Sequence, residues 1–597
     1  MKVLLASAAC VALAASGRTQ VTHRVSLGPG GVQSLAGGDV SPGRTVSDDG
    51  RYVFFMSSMN FHRFDNNGTW DLFVRDRLTG NTELVSMSTS GILGNGVSGL
   101  YGMWITPDGR YVAYESVANN LVPGDTNGAS DLFLRDLLTG TTELVSVGTG
   151  GGQGNAHSWL PSLSPDGNLV TFTSLASNLV PGDTNGVFDV FLRDRGIGTT
   201  ERVSMSSAGA QGNDDSYHPS ISANGRFVAF ESRASNLVPG DTNGVYDVFV
   251  HDRSAGTTER VSLASIGLQA NGESAWASLS QDGRFVAFGS IASNLVQGDT
   301  NGAWDVFVRD RSLGTTERVS IATGGAQGNS SSGGASISPD GRFVSFQSWA
   351  TNLVAGDSSV NTDIFLHDRV TRVTERVSVN SSGNETSGNC AYASISSDGR
   401  YVVFRSAATN LVSGDTNNRD DVFIRDRAAA GFASLCEPGL AGVIACPCSN
   451  PPSGPGGGCD NSSATGGASL TAGGVAYLSM DSLAFTTSGQ TPSGTSILLQ
   501  GNALVPAGAA FGQGVRCAGG ALKRLYVKSA VAGSILAPDL GAGDPNVSAR
   551  SSALGDPIQP GQSRYYIVFY RDPVVLGGCS AASTFNATQT GRVSWWP

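Results

Sequence analysis

The stretch SISANGRFVAFESRASNLVPGDTNGVYDVFVHDRSAGTTERVS, residues 220–262, decides the fold. It contains four short segments with the composition of β-strands, namely SIS, RFVAFES, DVFVHDR and ERVS. The turns ANGR and SAGTT and one long loop separate these segments. Aromatic and β-branched residues dominate them, and no part of the stretch has the period and length of a helix. The stretch therefore predicts a unit of four short antiparallel strands.

This unit is repeated along the chain. A turn dipeptide precedes the second strand of each copy, with a spacing of 59 residues once and 58 residues thereafter. The dipeptides begin at Asp49, Asp108, Asp166, Asn224, Asp282, Asp340 and Asp398. The 80 glycines among 597 residues supply the turns that many short strands require. Seven four-stranded units predict an all-β fold, a seven-bladed β-propeller over residues 21–427.

The ends of the repeated region predict how the propeller closes. The seventh unit stops at Arg427 without a fourth strand, whereas THRVS at residues 22–26 resembles the fourth strand TERVS and has no unit before it. We expect this N-terminal strand to complete the last blade. The pairing would cover a strand edge that otherwise invites aggregation.

The segments ISPDGRFVSFQS, DIFLHDR and TERVS within residues 337–378 are similar to the WD40-like (PD40) repeat of TolB-type β-propellers. The resemblance covers about residues 21–427. In that family such propellers make protein contacts in the bacterial envelope, gate substrates in peptidases or, in a few cases, act on polysaccharides. The chain differs from TolB in having seven units instead of six and no N-terminal α/β domain, and from the peptidases in lacking a following hydrolase domain. The resemblance therefore implies the fold and transfers neither activity.

The N-terminus predicts export. Lys2 precedes an apolar stretch over residues 3–15, and small residues suit a cleavage site, so residues 1–17 are expected to be a signal peptide. No later segment approaches 18 consecutive apolar residues, so we expect no transmembrane segment after cleavage. The net charge of −11 and the pI near 5.1 argue against nucleic acid as a partner. These features predict a periplasmic or extracellular protein of bacterial type.

After Arg427 the repeat ends and cysteines become frequent. Residues 428–460 are rich in Cys, Gly and Pro and are predicted to be a linker, and strand-like runs over residues 461–597 predict a β-sandwich-like domain. Six cysteines predict three disulfides whose pairing stays open: Cys436, Cys446, Cys448, Cys459, Cys517 and Cys579. The region also resembles Cys/Gly-rich terminal modules of secreted bacterial proteins, which implies attachment or sorting.

The long loops of every unit fall on one face of the predicted propeller, and loops on a rigid scaffold are where binding usually occurs. Just before the innermost strands, aromatic residues and a histidine interrupt the repeat: Tyr101, Trp104, Trp159, Tyr217, His218, Trp276 and Tyr392. We expect these residues to line the mouth of the central channel and to receive a peptide or stack on sugar rings. The alternative is packing between neighbouring blades.

The motif D-x-N-G-x-x-D recurs in the long loop after the second strand. Its spacing of oxygen-bearing side chains resembles a shortened calcium loop, and it is also typical of an Asx turn that leads into an Asn-Gly turn. The candidate calcium ligands are Asp65, Asn67, Asp71, Asp125, Asn127, Asp131, Asp183, Asn185, Asp189, Asp241, Asn243, Asp247, Asp299, Asn301, Asp305, Asp357, Asp363, Asp415, Asn417 and Asp421. Calcium at these positions would brace the loops and take no part in catalysis.

The catalytic motifs H-E-x-x-H and G-x-S-x-G do not occur, and only His157 and His218 enter loops at the channel mouth. We therefore expect a secreted, non-catalytic binding or scaffold protein that uses the long-loop face for a protein or glycan at the cell exterior. One alternative is a calcium-assisted carbohydrate-active enzyme or lectin with an aromatic channel mouth. The other is a structural component of an extracellular layer.

Overall fold

The computed structural model describes residues 20–427 except 29, 30, 63, 64 and 66, and residues 433–595 with several gaps. The predicted signal peptide, residues 1–17, and Cys579 lie outside the described residues. The chain divides into two compact units, one over Val21–Asp426 and one that contains Arg427–Pro597. Among the described residues, no helix is long and apolar enough to cross a membrane.

Within the described residues, the first unit consists of seven antiparallel sheets, which are the blades of the propeller. The first strand, β1 (Val21–Arg24), belongs to blade 7. The other strands are β2 (Tyr52–Ser57), β3 (Asp71–Asp76) and β4 (Asn81–Leu84) in blade 1; β5 (Ser98–Ile105), β6 (Tyr111–Ser116), β7 (Asp131–Asp136) and β8 (Thr141–Leu144) in blade 2; β9 (Ser158–Leu163), β10 (Leu169–Ser174), β11 (Asp189–Asp194) and β12 (Thr199–Arg202) in blade 3; β13 (Ser216–Ile221), β14 (Phe227–Ser232), β15 (Asp247–Asp252) and β16 (Thr257–Arg260) in blade 4; β17 (Ser274–Leu279), β18 (Phe285–Ser290), β19 (Asp305–Asp310) and β20 (Thr315–Arg318) in blade 5; β21 (Ser332–Ile337), β22 (Phe343–Ser348), β23 (Asp363–Asp368) and β24 (Val373–Arg376) in blade 6; and β25 (Cys390–Ile395), β26 (Tyr401–Ser406) and β27 (Asp421–Asp426) in blade 7.

The predicted seven-bladed propeller is confirmed, and blade 1 has an irregular inner edge. Its innermost segment forms two isolated bridges, Val46 with Val53 and Asp39 with Met56, instead of a continuous strand. This segment contains Pro42, which has no N–H to donate to a ladder. A proline at this position therefore explains why the segment makes bridges only.

The apolar core lies between neighbouring blades. Val248 and Val250 of β15, for example, pack in one cluster with Val286 and Phe288 of β18, and all four are at most 1% exposed. The second and third strands of a blade are covered on both faces, so their sequences are apolar almost throughout. This burial explains the runs FVAF and DVFV of the repeat.

The predicted closure of the ring is confirmed. β1 pairs antiparallel with β27 over four residue pairs. Ser26 Oγ, two residues after β1, donates a hydrogen bond to Asp421 Oδ1. Blade 1 in turn contacts blade 7, where Arg405 pairs with Asp39 at 2.7 Å. The N-terminal strand therefore completes the last blade.

Repeated arginines hold neighbouring blades together. Arg311 of blade 5 pairs with Glu259 of blade 4 at 2.5 Å, and its guanidinium lies 4.4 Å from the ring centroid of Phe227. Equivalent ion pairs between other neighbouring blades are Arg195 with Glu143, Arg253 with Glu201 and Arg369 with Glu317. A planar guanidinium can form the ion pair and the ring contact at once, which an ammonium group does less well.

The second unit is a β domain with one short helix. Its elements are β28 (Ala433–Cys436), β29 (Ser469–Gly473), β30 (Ala484–Ser488), β31 (Thr495–Gly501), β32 (Ala503–Phe511), β33 (Gly514–Gly519), β34 (Lys523–Ser529), β35 (Leu536–Ala537), a 3₁₀ turn (Leu540–Ala542), α1 (Val547–Ala553), β36 (Ser563–Arg571), β37 (Phe585–Ala587) and β38 (Thr590–Ser594). One sheet has the order β28-β38-β36-β31-β34, with β37 also paired to β36, and another has the order β29-β30-β35. The segment 428–460, predicted as a linker, contributes β28 to the larger sheet.

The six-stranded and the three-stranded sheet of this domain share one core. Leu470 and Phe485 of the smaller sheet lie in the same buried cluster as Leu498, Tyr566 and Val568 of the larger sheet. This packing of sheet against sheet confirms the predicted β-sandwich-like arrangement.

Four of the six predicted disulfide cysteines are described as bonded, while the side chain of Cys436 and residue Cys579 lie outside the described part of the chain. Cys446 and Cys459 form one disulfide, and Cys448 and Cys517 are also disulfide-bonded. Cys390, in the propeller, is a buried free thiol.

Candidate functional site

The innermost segment of every blade contains one residue with positive φ at an equivalent position. These residues are Gly43 (+132°), Gly102 (+158°), Leu160 (+56°), His218 (+50°), Trp276 (+57°), Gly334 (+62°) and Tyr392 (+54°). In blades 2 to 7 the pairing of the first strand with the second shifts register here. The left-handed conformation costs a residue with a Cβ about 1–2 kcal/mol, and a bulge redirects its side chain. Four blades therefore keep a strained residue at this point.

Side chains of neighbouring strands hold these bulges in place. The backbone N–H of Trp276 donates to Glu231 Oε2 of the preceding blade at 2.5 Å. The N–H of Tyr392 donates to Gln347 Oε1 in the same way at 3.4 Å. At the corresponding strand position of blade 5, Gly289 leaves room for the Trp276 ring, because a Cβ there would lie 3.2 Å from Trp276 Cε3. The positions of the two aromatic residues are thus fixed by contacts beyond their own turn.

The innermost segments surround a central cavity of about 490 Å³. Leu160, His218, Trp276 and Tyr392 all line it, as does Trp104. Much of the remaining wall is aliphatic or proline, with the prolines at Pro42, Pro107, Pro161, Pro165, Pro219 and Pro339. The bulges therefore direct large side chains toward a cavity with mainly apolar walls.

His218 and Glu231 form an ion pair at the cavity, with His218 Nδ1 2.8 Å from Glu231 Oε1. Burial lowers the pKa of His218, but the charge and hydrogen bond of Glu231 outweigh this effect and raise it above its usual value of 6.5. Since the other oxygen of Glu231 accepts the N–H of Trp276, one carboxylate organises two cavity residues.

Glu115 occupies the position of Glu231 in blade 2. It is 2% exposed, and its Oε1 accepts the N–H of Tyr101 at 2.7 Å. Its Oε2 is buried and has no hydrogen-bond partner. Burial raises the pKa of Glu115 to about 8, so the carboxyl group is mainly protonated at neutral pH.

The structure separates the seven predicted ligand-binding residues into two groups. Trp104, His218, Trp276 and Tyr392 line the cavity. Tyr101, Trp159 and Tyr217 instead belong to a row of stacked rings that crosses from blade 2 to blade 4. The ring centroids in this row are 5.4 Å apart for Tyr101 and Trp159, 5.0 Å for Trp159 and Phe188, and 5.2 Å for Phe188 and Tyr217. These three residues pack between neighbouring blades, which was the alternative interpretation.

The two candidate histidines have different roles. His157 Nδ1 accepts the backbone N–H of Ser130 at 3.0 Å, and its ring stacks on Trp159, so it supports the loop. His218 pairs with Glu231, and the hydroxyl oxygen of Ser220, two residues further on, accepts the N–H of Leu279 at 3.0 Å. In the described part of the chain, neither histidine forms a hydrogen bond to a serine or cysteine side chain in a nucleophile–base arrangement.

In the acidic loops, the central asparagine makes an Asx turn. In blade 2, Asn127 Oδ1 accepts the N–H of Ala129 at 2.8 Å, and its Nδ2 donates to Asp131 Oδ2 at 2.8 Å and to the Gly154 carbonyl at 2.9 Å. The last aspartate accepts a further hydrogen bond from Ser146 Oγ at 2.6 Å. The asparagine thereby fixes the shape of the loop.

In blades 3 to 7 an arginine lies between the two aspartates of the loop. Arg202 Nη1 is 3.2 Å from both Asp183 Oδ1 and Asp189 Oδ2. The equivalent groups are Arg260 with Asp241 and Asp247, Arg318 with Asp299 and Asp305, Arg376 with Asp357, Asp363 and Glu385, and Arg24 with Asp415 and Asp421. A guanidinium therefore supplies the positive charge that calcium would otherwise bring to these five loops.

Sequence reasoning missed Leu160, Glu231 and Gln347. The last two occupy the fifth position of the second strand, which carries six different residue types in the seven blades: Met56, Glu115, Thr173, Glu231, Gly289, Gln347 and Arg405. The neighbouring positions of that strand hardly change. The variation at this position, between a fourth position that is always aromatic and a sixth that is always serine, was the available signal.

Comparison with known proteins gives matches of fold only. No protein-family model and no curated protein matches the chain. Among solved structures, a TolB from Agrobacterium tumefaciens is 18% identical, with a TM-score of 0.30 over 47% of this chain and 80% of that one. The β-propeller domain of the Trilobed protease from Pyrococcus furiosus is 10% identical, with a TM-score of 0.40 over 65% of this chain and 93% of that one.

An acylaminoacyl peptidase from Pyrococcus horikoshii is 8% identical, with a TM-score of 0.37 over 62% of this chain and 49% of that one. At such identities no activity passes from these proteins to this chain. The sheets and their closure establish the architecture by themselves. In fold, the chain is a seven-bladed β-propeller followed by a disulfide-bonded β domain.

Proposed function

We propose that the protein is an exported, non-catalytic binding protein whose central cavity receives an apolar segment of a peptide or protein partner. The observation that carries this proposal is the set of bulges, because they keep Leu160, His218, Trp276 and Tyr392 strained at one level of the cavity. Strained residues of this kind persist mainly where a site depends on them. The cavity of about 490 Å³ falls within the usual range for ligand sites, roughly 300–1,000 Å³.

The wall of the cavity favours an apolar peptide group over a sugar. Prolines and aliphatic residues offer few hydrogen bonds to sugar hydroxyl groups. The carboxylate of Glu231 is already engaged, since it binds His218 and the N–H of Trp276. Trp276 and Tyr392, which are 40% and 38% exposed, offer large apolar surfaces at small entropic cost.

Two further observations support a non-catalytic role outside the cytoplasm. The imidazole of His218 is bound to the carboxylate of Glu231, and within the described residues it forms no hydrogen bond to a serine or cysteine side chain. The disulfides of the second unit are typical of an oxidising compartment, in agreement with the expected signal peptide.

The direct test is selection of a peptide library on the immobilised full-length protein. Counter-selection uses a Trp276→Gly/Tyr392→Gly variant, which keeps the left-handed backbone that Gly334 adopts in blade 6. We expect enriched peptides with an apolar or aromatic residue that bind the wild-type protein, fail to bind the variant and are recovered uncleaved.

Trp349→Ala is the matched control, because this tryptophan is 45% exposed but is not part of the cavity lining. A glycan array probed with the same proteins tests the alternative that the cavity binds a carbohydrate. Glycan binding that the double variant abolishes, or cleavage of the selected peptides, would contradict the proposal.

A further inference from the structure

Six of the seven acidic loops have a donor between their first and last aspartates. Blades 3 to 7 use the arginine of the fourth strand. In blade 2, Leu144 takes the place of that arginine, and Gln153 Nε2 donates instead to Asp125 Oδ1 at 2.7 Å and to Asp131 Oδ2 at 2.8 Å. The loops of blades 2 to 7 therefore show which donor to expect between the two aspartates of the loop in blade 1.

Blade 1 has neither donor. Leu84 stands where the arginine is in blades 3 to 7, and Leu93 stands where the glutamine is in blade 2. Asp65 and Asp71 are only 5% and 1% exposed. Asp65 Oδ1, the atom that corresponds to the arginine- or glutamine-bound oxygen in the other loops, is buried without a hydrogen-bond partner.

Only neutral donors reach the second carboxylate. Asp71 Oδ1 accepts from Ser86 Oγ at 2.7 Å, and Asp71 Oδ2 accepts from Asn67 Nδ2 at 3.1 Å. Two neighbouring buried carboxylates are stable as anions only with a cation close by.

We propose that blade 1 binds calcium between Asp65 and Asp71, at the place that the guanidinium takes in blades 3 to 7. Calcium accepts carboxylate oxygens in irregular loops and completes its coordination with backbone carbonyls and water, whereas magnesium requires near-octahedral geometry. A site with two carboxylates belongs to the weak, extracellular class, with dissociation constants of about 0.1–1 mM. This inference is independent of the proposed binding function of the cavity.

Calcium binding is tested on the full-length protein after removal of metal with a chelator. We expect about 10 mM calcium to raise the melting temperature by about 2 °C or more and the same concentration of magnesium to have a smaller effect. Terbium luminescence gives a direct measure of binding, because Trp70, next to Asp71, can sensitise an ion held in this loop.

Two variants decide where the ion binds. Asp65→Asn should lose both the calcium shift and the terbium signal, and Leu84→Arg should lose them because it copies the arginine of blades 3 to 7. Asp183→Asn, in an arginine-filled loop, is the matched control and should keep both. No calcium response in the wild-type protein, or an unchanged response in Asp65→Asn, would overturn the proposal; if Leu84→Arg does not fold, Asp65→Asn decides alone.

Discussion

At residue 276 a tryptophan adopts the left-handed backbone conformation that blade 6 assigns to a glycine, Gly334. The left-handed position of the inner strand is thus occupied in two ways in one molecule: by a glycine, which is not strained, and by a residue with a large side chain that lines the cavity. Glu231 stabilises the second arrangement by accepting the N–H of Trp276. The backbone strain at Trp276 and the hydrogen bond from its N–H to Glu231 each depend on one side chain, so single substitutions measure them.

Replacing Trp276 by glycine should leave the protein more stable than replacing it by alanine. Both changes remove the ring, which contacts Trp304 with centroids 5.1 Å apart, but only glycine adopts φ of +57° without strain. We expect a difference of about 1 kcal/mol in the free energy of unfolding, measured with urea. Ala277→Gly is the control and should destabilise by about 0.5–1 kcal/mol. Equal stability of the two Trp276 variants would show that the bulge stores no strain.

The His218–Glu231 pair should make stability depend on pH. Because the folded-state pKa of His218 is raised, its contribution is complete below the unfolded pKa of about 6.5 and is lost as pH rises through the folded value. The stability difference between wild type and His218→Gln should therefore fall by about 1 kcal/mol between pH 5 and pH 8. In a Glu231→Gln background burial acts on His218 without the opposing carboxylate, so the difference should no longer fall but rise with pH. A difference that does not fall with pH in the wild-type background would refute the coupling.

At the scale of the element, β1 is the strand on which closure of the ring depends. Its Arg24 lies 3.2 Å from Asp415 Oδ1, and the side chain of Asp421 on the paired loop and strand is fully buried. Removing β1 would leave these two carboxylates without their cation and expose the edge of β27.

Deletion of residues 20–27 should destabilise the propeller by about 3–5 kcal/mol and cause concentration-dependent aggregation. Melting temperature and light scattering measure the two effects. The peptide VTHRVS added in trans should restore stability by pairing with β27, whereas the reversed peptide SVRHTV should not. A truncated protein as stable and monomeric as wild type would contradict the role assigned to β1.

Local sequence patterns predicted the strands and turns well. The features that the sequence did not predict, the bulge and the row of stacked rings, depend on contacts between blades. The FVAF and DVFV runs predicted the buried second and third strands, and D-x-N-G-x-x-D predicted the Asx turn, since both depend on neighbouring residues. The bulge at Trp276 depends on Glu231 in the preceding blade, 45 positions away. The separation of Tyr101, Trp159 and Tyr217 from the cavity depends on Phe188, whose ring lies between Trp159 and Tyr217 in the row. Such contacts leave no periodic signal in one sequence.

At the scale of the whole molecule, the two units are stabilised by different means. The propeller relies on buried strands and closure of the ring, and its one described cysteine is the free thiol Cys390. The second unit contains the Cys446–Cys459 disulfide and the disulfide-bonded Cys448 and Cys517. Cross-links of this kind act mainly on the unfolded state of the unit that contains them.

A reductant should therefore lower the stability of the second unit and leave the propeller unchanged. For the loop of 13 residues between Cys446 and Cys459, the expected loss is about 3 kcal/mol. Hydrogen exchange followed peptide by peptide, with and without reductant, measures the two units separately. Faster exchange throughout β13–β16 on reduction would contradict this assignment.

The most direct test of the account is calorimetric titration of a library-selected peptide into wild-type protein, Trp276→Gly and Trp349→Ala. We predict that Trp276→Gly weakens binding at least tenfold, about 1.4 kcal/mol, while the melting temperature changes little and Trp349→Ala binds as wild type. Equal affinity for wild type and Trp276→Gly would contradict the claim that the bulges of the inner strands build the binding site.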